Sequence, residues 1–187
     1  METLEAVNKR CSLKTHLSGR EVELEKINKV LDAARMAPSA RNMQPWRFVV
    51  VRGKRSVESL VDAALGEGNA VAKEAAALIV VCARPRDSVI HERKEYYLFD
   101  TGLAVENMLL AATDLGLVTH PMAGVNESEL KRLLNIPRDV RVVLVTPLAY
   151  PREASFDAAA RERLQERTRR TLEEVVYYDQ WNEPEPA

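Results

Sequence analysis

The stretch Arg10-Cys11-Ser12-Leu13-Lys14, here called the basic segment, places a guanidinium, a hydroxyl and an ammonium group close together. If the stretch is extended, the side chains of Arg10, Ser12 and Lys14 project to the same side, because successive side chains alternate. A phosphate monoester carries about −1.5 to −2 charges, which two cations and a hydroxyl donor suit well. The pattern therefore predicts a phosphate site, with a solvated charged turn as the alternative.

A second group of cations lies near the carboxyl end. Arg167, Arg169 and Arg170 end the charged run 161–170. Such a run is most often a solvated helix face. Nucleic-acid binding is a weaker alternative, because no aromatic side chains that stack on bases accompany the arginines. Together, the two basic clusters suit an anionic cofactor.

Two prolines stiffen residues 37–48, here called the proline loop, between a predicted helix and a predicted strand. Pro38 cannot continue the helix before it, and the fixed φ of proline restricts the loop. A rigid loop can present fixed polar groups, such as those of Asn42, to a ligand. Gln44 and Trp46 have a simpler interpretation, which is that they anchor the loop, since tryptophan favours burial with one partner for its N–H.

Motifs for catalysis by the protein alone do not occur in the sequence. It contains no GxGxxG after a strand, no GxxxxGK[ST] and no GxSxG motif. His16, His91 and His120 lie in unrelated segments without HExxH spacing, and Cys11 and Cys82 form no CxxC pair. We therefore predict no metal site and assign no catalytic acid or base to the protein itself.

Composition excludes several classes of protein. The 187 residues include 27 Lys and Arg against 28 Asp and Glu, and this net charge of −1 disfavours a surface built for nucleic acid. The longest strongly apolar run, 75–83, is far shorter than the ~20 residues of a membrane helix, and the amino terminus lacks signal-peptide features. The two cysteines provide no disulfide framework, so the sequence predicts a cytoplasmic protein without a membrane partner.

Hydrophobic periodicity predicts the elements that must position these groups. The run 78–82 is apolar without alternation, which is typical of a strand covered on both faces. Helices are predicted at 3–9, before Pro38, and at 57–65, 70–76, 96–115, 126–134 and 156–167. Strands are predicted at 47–51, 78–82, 117–119, 140–145 and 175–178, with Pro147 closing the fourth. The prediction is one α+β domain over residues 1–187, with a loosely held tail at 181–187.

The proline loop reads Ala37-Pro38-Ser39-Ala40-Arg41-Asn42-Met43-Gln44-Pro45-Trp46-Arg47-Phe48 and closely resembles the APSxxNxQPWxF signature of the nitroreductase family of FMN-dependent oxidoreductases. Four further segments resemble the family in its order. They are the basic segment, similar to RRSxR; residues 100–112, similar to DxGxAxxNxxLxA; residues 120–125, similar to the region beside the flavin ring; and residues 169–175, similar to RKPLEEV. The resemblance thus runs from about residue 4 to residue 178.

This resemblance implies roles for individual residues. Those expected at the FMN phosphate and ribityl chain are Arg10, Cys11, Ser12, Lys14, Arg167 and Arg169. Those expected to reach the isoalloxazine from the other subunit are Pro38, Ser39 and Asn42. Those expected to offer backbone N–H groups near flavin N5 and O4 are Ala123 and Gly124. Cys11 replaces a cation of the family pattern, and Lys14 cannot form the bidentate contact of an arginine, so a modest FMN affinity is expected.

The resemblance also implies a fold and an activity. The fold is a central, mostly antiparallel sheet flanked by helices, with a C-terminal segment exchanged between the subunits of a homodimer. In the implied ping-pong reaction, NAD(P)H transfers hydride to flavin N5, and a nitroaromatic or quinone then takes the electrons. The alternatives are a family branch that performs reductive dehalogenation or flavin cleavage, and a flavin-binding or regulatory protein without turnover.

Overall fold

The computed structural model describes residues 1–165 and 168–181, which form seven α-helices and seven β-strands. The helices are α1 Thr3–Lys9, α2 Leu24–Arg35, α3 Lys54–Ala64, α4 Tyr96–Asp114, α5 Glu127–Leu134, α6 Ala158–Gln165 and α7 Leu172–Val175. The strands are β1 Leu17–Ser18, β2 Trp46–Arg52, β3 Ala77–Ala83, β4 Ile90–His91, β5 Lys94–Glu95, β6 Val118–Thr119 and β7 Arg141–Pro151. Contacts divide the chain into two units, Met1–Ser155 and Phe156–Ala187.

The first unit is built around a five-stranded sheet whose strand pairs are antiparallel. The strand order is β1-β7-β3-β2, and β6 also pairs with β7. Every residue of β3 is buried, because this central strand is covered on both faces. The predicted α+β fold with a mostly antiparallel sheet is confirmed.

Helix α4 is held against the sheet by a shared apolar core. Ile79 and Val81, which lie on the same face of β3, form one buried cluster with Val30 of α2 and Met108 of α4. Side chains of this kind stabilise a fold by about 1.5–3 kcal/mol each when they are fully buried. The position of α4 is therefore fixed by packing, and this fixes the polar residues that α4 carries.

Strand β7 continues beyond its predicted end. Pro147 lies opposite Leu78 of β3, and the pairing of Leu148 with Ala77 continues the ladder. A proline removes only one N–H donor, so the neighbouring backbone pairs carry the strand through this position. The prediction that Pro147 closes the strand is wrong.

The predicted helix at 70–76 is also wrong in type. A 3-10 helix, Glu67–Glu74, occupies this stretch, and its bonds span three residues, as in Asn69 N to Gly66 O and Ala75 N to Ala72 O. The chain becomes extended at Ala75 and enters β3 two residues later.

The second unit contains α6 and α7. The β-prone run 175–178 forms no strand in the described chain, because Val175 ends α7. Thr171 caps this helix, and its backbone N–H donates to Glu174 Oε2 at 2.7 Å, so a local capping box determines the structure here. Of the predicted tail 181–187, only Trp181 is described, and its ring stacks on Tyr177 with centroids 4.4 Å apart.

The helices of the described residues include none that is both long enough and apolar enough to span a bilayer.

Candidate functional site

The basic segment runs along the edge of strand β6. Leu13 N donates to Thr119 O at 3.0 Å, and Ser12 forms a parallel bridge with Thr119. Leu13 is buried, whereas Ser12 and Lys14 on either side of it are exposed. The local chain therefore alternates as the sequence predicts, with its polar groups facing away from the core.

Arg10 begins this segment at the C-terminal end of α1. Its backbone N–H donates to Ala6 O at 2.8 Å, and its Nε lies 3.6 Å from Glu106 Oε1 on α4. The Arg10 side chain is only 19% exposed. Contacts with α1 and α4 thus hold Arg10 at the start of the basic segment.

The two cysteines have different surroundings. Cys11 is a half-buried free thiol inside the basic segment, and Cys82 is a buried free thiol in β3. Burial, with a further contribution from the negative charge of Glu127, raises the pKa of Cys82 to about 11, so this thiol stays protonated at neutral pH. Of the two thiols, the one near the predicted phosphate site is Cys11.

His120 follows β6 directly and lies beside the basic segment. Its backbone N–H donates to the buried Thr146 Oγ1 at 3.1 Å. Burial lowers the pKa of the His120 imidazole, and the charge of Lys14 lowers it further, so the ring is neutral at pH 7. Its Nδ1 is buried and has no hydrogen-bond partner within residues 1–165 and 168–181. His120 therefore retains an unused hydrogen-bonding atom.

A small cavity of about 10 Å³ connects the surroundings of Lys14 and His120 to the 3-10 helix. Its remaining lining residues are Leu17, Gly68, Asn69, Val71, Ala72, Met122 and Pro147. This volume corresponds to about one water molecule. Lys14 of the basic segment and Asn69 therefore line the same cavity.

Asn69 in turn contacts the loop after His120. Its Nδ2 donates to Gly124 O at 3.3 Å. Next to this contact, an open cavity of about 490 Å³ is lined by Ala123, Gly124 and neighbouring residues of the loop, facing residues 63–66. Ala123 and Gly124, which are predicted to lie beside the flavin ring, therefore border a concave surface. Asn69 connects this surface to Lys14 of the basic segment.

The proline loop is held by bonds within its own backbone and side chains. Gln44 N donates to Ser39 Oγ at 3.0 Å, and Gln44 Nε2 donates to Asn42 Oδ1 at 3.1 Å. Arg41, Asn42 and Gln44 have φ values of 52°, 57° and 49°, which L-residues seldom adopt. Gln44 thus anchors the loop, as the sequence suggests, and Trp46 is buried against Ala37.

One further bond ties the proline loop to helix α4. Ala40 N donates to Asp100 Oδ1 at 3.1 Å, and Ser88 Oγ donates to Asp100 Oδ2 at 3.4 Å. Asp100 is only 1% exposed. A buried carboxylate therefore fixes the backbone of the loop next to Ser39.

The structure brings some predicted site residues together within the first unit. The basic segment reaches His120 and Asn69 through Lys14, since these three residues line one cavity, and Asn69 contacts Gly124, which follows Ala123. We call this run of contacts the strip. The proline loop, with Pro38, Ser39 and Asn42, is fixed separately by Asp100. Arg169 belongs to the second unit, where its Nη1 donates to Thr168 O at 2.7 Å, and Arg167 lies outside the described residues.

Two residues of this arrangement have contacts that the sequence analysis missed. Asn69 lies between the helices predicted at 57–65 and 70–76, and nothing in the local pattern distinguishes it from other loop asparagines. Asp100 gives a clearer signal, since it is a carboxylate on a helix whose neighbours Tyr97, Thr101 and Ala104 are all buried. A charge on such a face requires nearby donors.

Known proteins resemble this chain in sequence. The model of the nitroreductase family matches residues 7–83 and 66–150. A protein of Methanothermobacter thermautotrophicus, named "Putative NADH dehydrogenase/NAD(P)H nitroreductase", is 36% identical over 82% of this chain and 79% of its own length.

Solved structures resemble the fold over nearly all of the chain. A nitroreductase family protein from Clostridium difficile 630 has a TM-score of 0.81 and 29% identity, covering 97% of this chain and 100% of its own. A structure described as an oxidoreductase containing FMN has a TM-score of 0.79 and 28% identity, covering 95% of this chain and 91% of its own. With the family model, these matches extend over the basic segment, the proline loop and the strip, and the chain belongs to the nitroreductase family.

Proposed function

We propose that this protein is an FMN-dependent oxidoreductase that carries reducing equivalents from NAD(P)H to a nitroaromatic, a quinone or a similar small acceptor. The observation that carries the proposal is the continuous strip in the first unit. One end of the strip is cationic, with Arg10 and Lys14, and the other consists of the loop at Ala123 and Gly124. An FMN molecule matches this layout, with a dianionic phosphate at one end and an uncharged ring that accepts hydrogen bonds at the other.

The residues present fit this cofactor. Arg10, Ser12 and Lys14 would hold the phosphate and the ribityl chain, with Cys11 between them adding no charge. The buried Nδ1 of His120, which has no hydrogen-bond partner in the described part of the chain, lies beside the same segment. Hydrogen bonds between charged groups and phosphate are about twice as strong as neutral ones, so the cations would supply most of the affinity for the phosphate end.

The ring end would be held by backbone and loop groups. N–H groups of Ala123 and Gly124 would face the ring edge, and Pro38, Ser39 and Asn42 would approach it from a second chain. FMN, when bound, supplies the hydride-transfer chemistry. The protein's part is to orient the ring and exclude water, so no side chain is assigned as an acid or base.

A homodimer completes the proposal. Leu4 of α1 and Phe99 of α4 are 76% and 62% exposed, and Leu172 and Trp181 of the second unit are each 72% exposed. Exposed apolar side chains mark an interaction surface where they form a contiguous patch, and twofold dimers are the commonest assembly. We infer that the second unit is exchanged between the subunits, that residues 1–187 act as one functional domain, and that Arg169, with Arg167, completes the phosphate site.

The free thiols Cys11 and Cys82 favour a reducing compartment, and we therefore place the protein in the cytoplasm.

The purified protein tests the proposal directly. We expect it to be yellow, with an absorbance band near ~450 nm from oxidised flavin, and to oxidise NADH or NADPH when menadione or a nitrofuran is added. Bound flavin without turnover of any acceptor would instead indicate a flavin-binding protein. A colourless protein that also fails to bind added FMN would overturn the proposal.

A further inference from the structure

Asp100 is the only acidic residue among the fully described side chains that is almost completely buried, with 1% exposure. Removing a carboxylate from water costs several kcal/mol unless donors compensate. Two donors reach this carboxylate within the described residues, the Ala40 N–H at 3.1 Å and the Ser88 hydroxyl at 3.4 Å, and both are neutral. The fold therefore buries the Asp100 carboxylate, at a cost in free energy, where it contacts the backbone of the proline loop.

The loop on the other side of this contact needs an external anchor. Arg41, Asn42 and Gln44 are all in the left-handed region, and such residues persist only where the surroundings determine their conformation. The bonds from Gln44 to Ser39 and Asn42 lie within the loop and move with it. The bond from Ala40 to Asp100 instead reaches a helix that is packed into the core.

Asp100 also connects the loop to a second segment. Ser88, bonded to Oδ2, precedes the small β4–β5 hairpin, and Arg47 at the end of the proline loop pairs with Asp87 at 2.8 Å. One carboxylate thus accepts from both segments, with one oxygen for each. A change at Asp100 releases both of them, whereas a change at Ser88 releases one.

We propose that Asp100 is a positioning residue that fixes the proline loop in the conformation that meets the flavin ring. The inference rests on the proposed flavin site. Asp100 acts on the ring end, through the backbone at Ala40 and the neighbouring Ser39, and does not act on the phosphate end.

The matched pair of variants is Asp100→Ala and Thr101→Val. Thr101 is the next residue of α4, it is fully buried, and its Oγ1 has no hydrogen-bond partner within the described residues. Thr101→Val therefore alters the same helix turn without removing a bond. Asp100→Asn, which keeps an oxygen acceptor for the Ala40 N–H, is the conservative rescue.

The first measurement is amide hydrogen exchange of Ala40 in the flavin-free protein. A hydrogen bond to a charged group contributes about 1.5–3 kcal/mol, which corresponds to roughly 10- to 150-fold, so exchange at Ala40 is expected to be at least about tenfold faster in Asp100→Ala. Asp100→Asn is expected to retain most of the protection, and Thr101→Val all of it. Thermal melting identifies a variant that fails to fold. If Asp100→Ala fails, Asp100→Leu, which fills a similar volume but offers no acceptor to the Ala40 N–H, takes its place in the comparison with Asp100→Asn.

The second measurement is the dissociation constant of FMN and of riboflavin, followed by quenching of flavin fluorescence. Asp100→Ala is expected to weaken both ligands equally, by about tenfold, because the loop faces the ring that they share. Unchanged exchange at Ala40, unchanged affinity, or equal losses in Thr101→Val would overturn the inference. If the wild-type chain binds no flavin, the proposed function itself fails, and the role of Asp100 in flavin binding fails with it.

Discussion

The proline loop and the basic segment are both predicted to meet the same ligand, but they obtain their geometry in different ways. The loop is fixed by hydrogen bonds within itself and by a buried carboxylate of α4. The basic segment is fixed by one strand-edge contact at Thr119 and by an ion pair of Arg10 with Glu106 at 3.6 Å. We therefore expect recognition of the ring to depend on preformed shape and recognition of the phosphate to depend on charge, which tolerates looser placement.

The largest expected effect comes from separating the two regions onto different chains. If the loop serves the partner's flavin, mixing Arg10→Ala chains with Asn42→Ala chains gives heterodimers with one doubly damaged site and one intact site. Each parent homodimer should bind FMN weakly, and each heterodimer should bind one FMN tightly. An equimolar, fully exchanged mixture, in which half of the dimers are heterodimers, should therefore regain a quarter of the wild-type tight sites. A titration of flavin fluorescence measures this.

Subunit exchange must be shown independently, for instance by mass spectrometry of differently tagged chains. If exchange occurs and the mixture binds no better than either parent, the two regions belong to one site within a single chain. The proline loop and the basic segment would still differ in how they are anchored, but the prediction of a site shared between two subunits would be wrong.

A smaller effect distinguishes charge from shape. Arg10→Ala removes a cation from the basic segment and is expected to weaken FMN binding by about 1.5–3 kcal/mol, the range for hydrogen bonds to charged groups. Riboflavin lacks the phosphate, so its affinity should hardly change. Isothermal titration of both ligands, with Arg169→Ala as a second cation variant, provides the measurement. Equal losses for FMN and riboflavin would mean that Arg10 acts through folding, for example through its pair with Glu106.

The sequence predicted those parts of the molecule in which local pattern and tertiary environment agree. The unbroken apolar run 78–82 became the central strand β3, and the helix predicted at 96–115 became α4. The prediction at Pro147 was wrong because β7 is held there by its pairing with β3, a strand that is distant in sequence. The run 175–178 was misjudged because β propensity was weighed without the capping box of Thr171 and Glu174.

The same limit applies to the site. Segments of the family pattern identified the basic segment and the proline loop, since these carry their chemistry in consecutive residues. The contact of Asn69 with Gly124 and that of Asp100 with Ala40 join residues that are distant in sequence. No local pattern specifies such pairs, because they depend on how the sheet and α4 bring the segments together.

The smallest expected effect concerns His120, which lies beside the basic segment. The proline loop contains no histidine. Burial, assisted by the charge of Lys14, lowers the pKa of the folded imidazole below its ordinary value of 6.5. Below pH 6.5 the unfolded chain binds the proton more readily than the folded chain. The stability that a neutral His120 contributes is therefore present above pH 6.5 and is lost as the pH falls towards the folded pKa.

Thermal melting of the flavin-free protein between pH 7.5 and 5 measures this loss. The wild-type melting temperature should fall more steeply than that of His120→Asn, which cannot take up a proton in this range. Bound FMN should flatten the wild-type curve, because a phosphate beside Lys14 offsets the positive charge that opposes protonation of His120. Riboflavin, which has no phosphate, should leave the slope unchanged. Equal slopes for the wild type and His120→Asn would show that the imidazole titrates alike in the folded and unfolded chains. His120 would then contribute nothing to the pH dependence of stability.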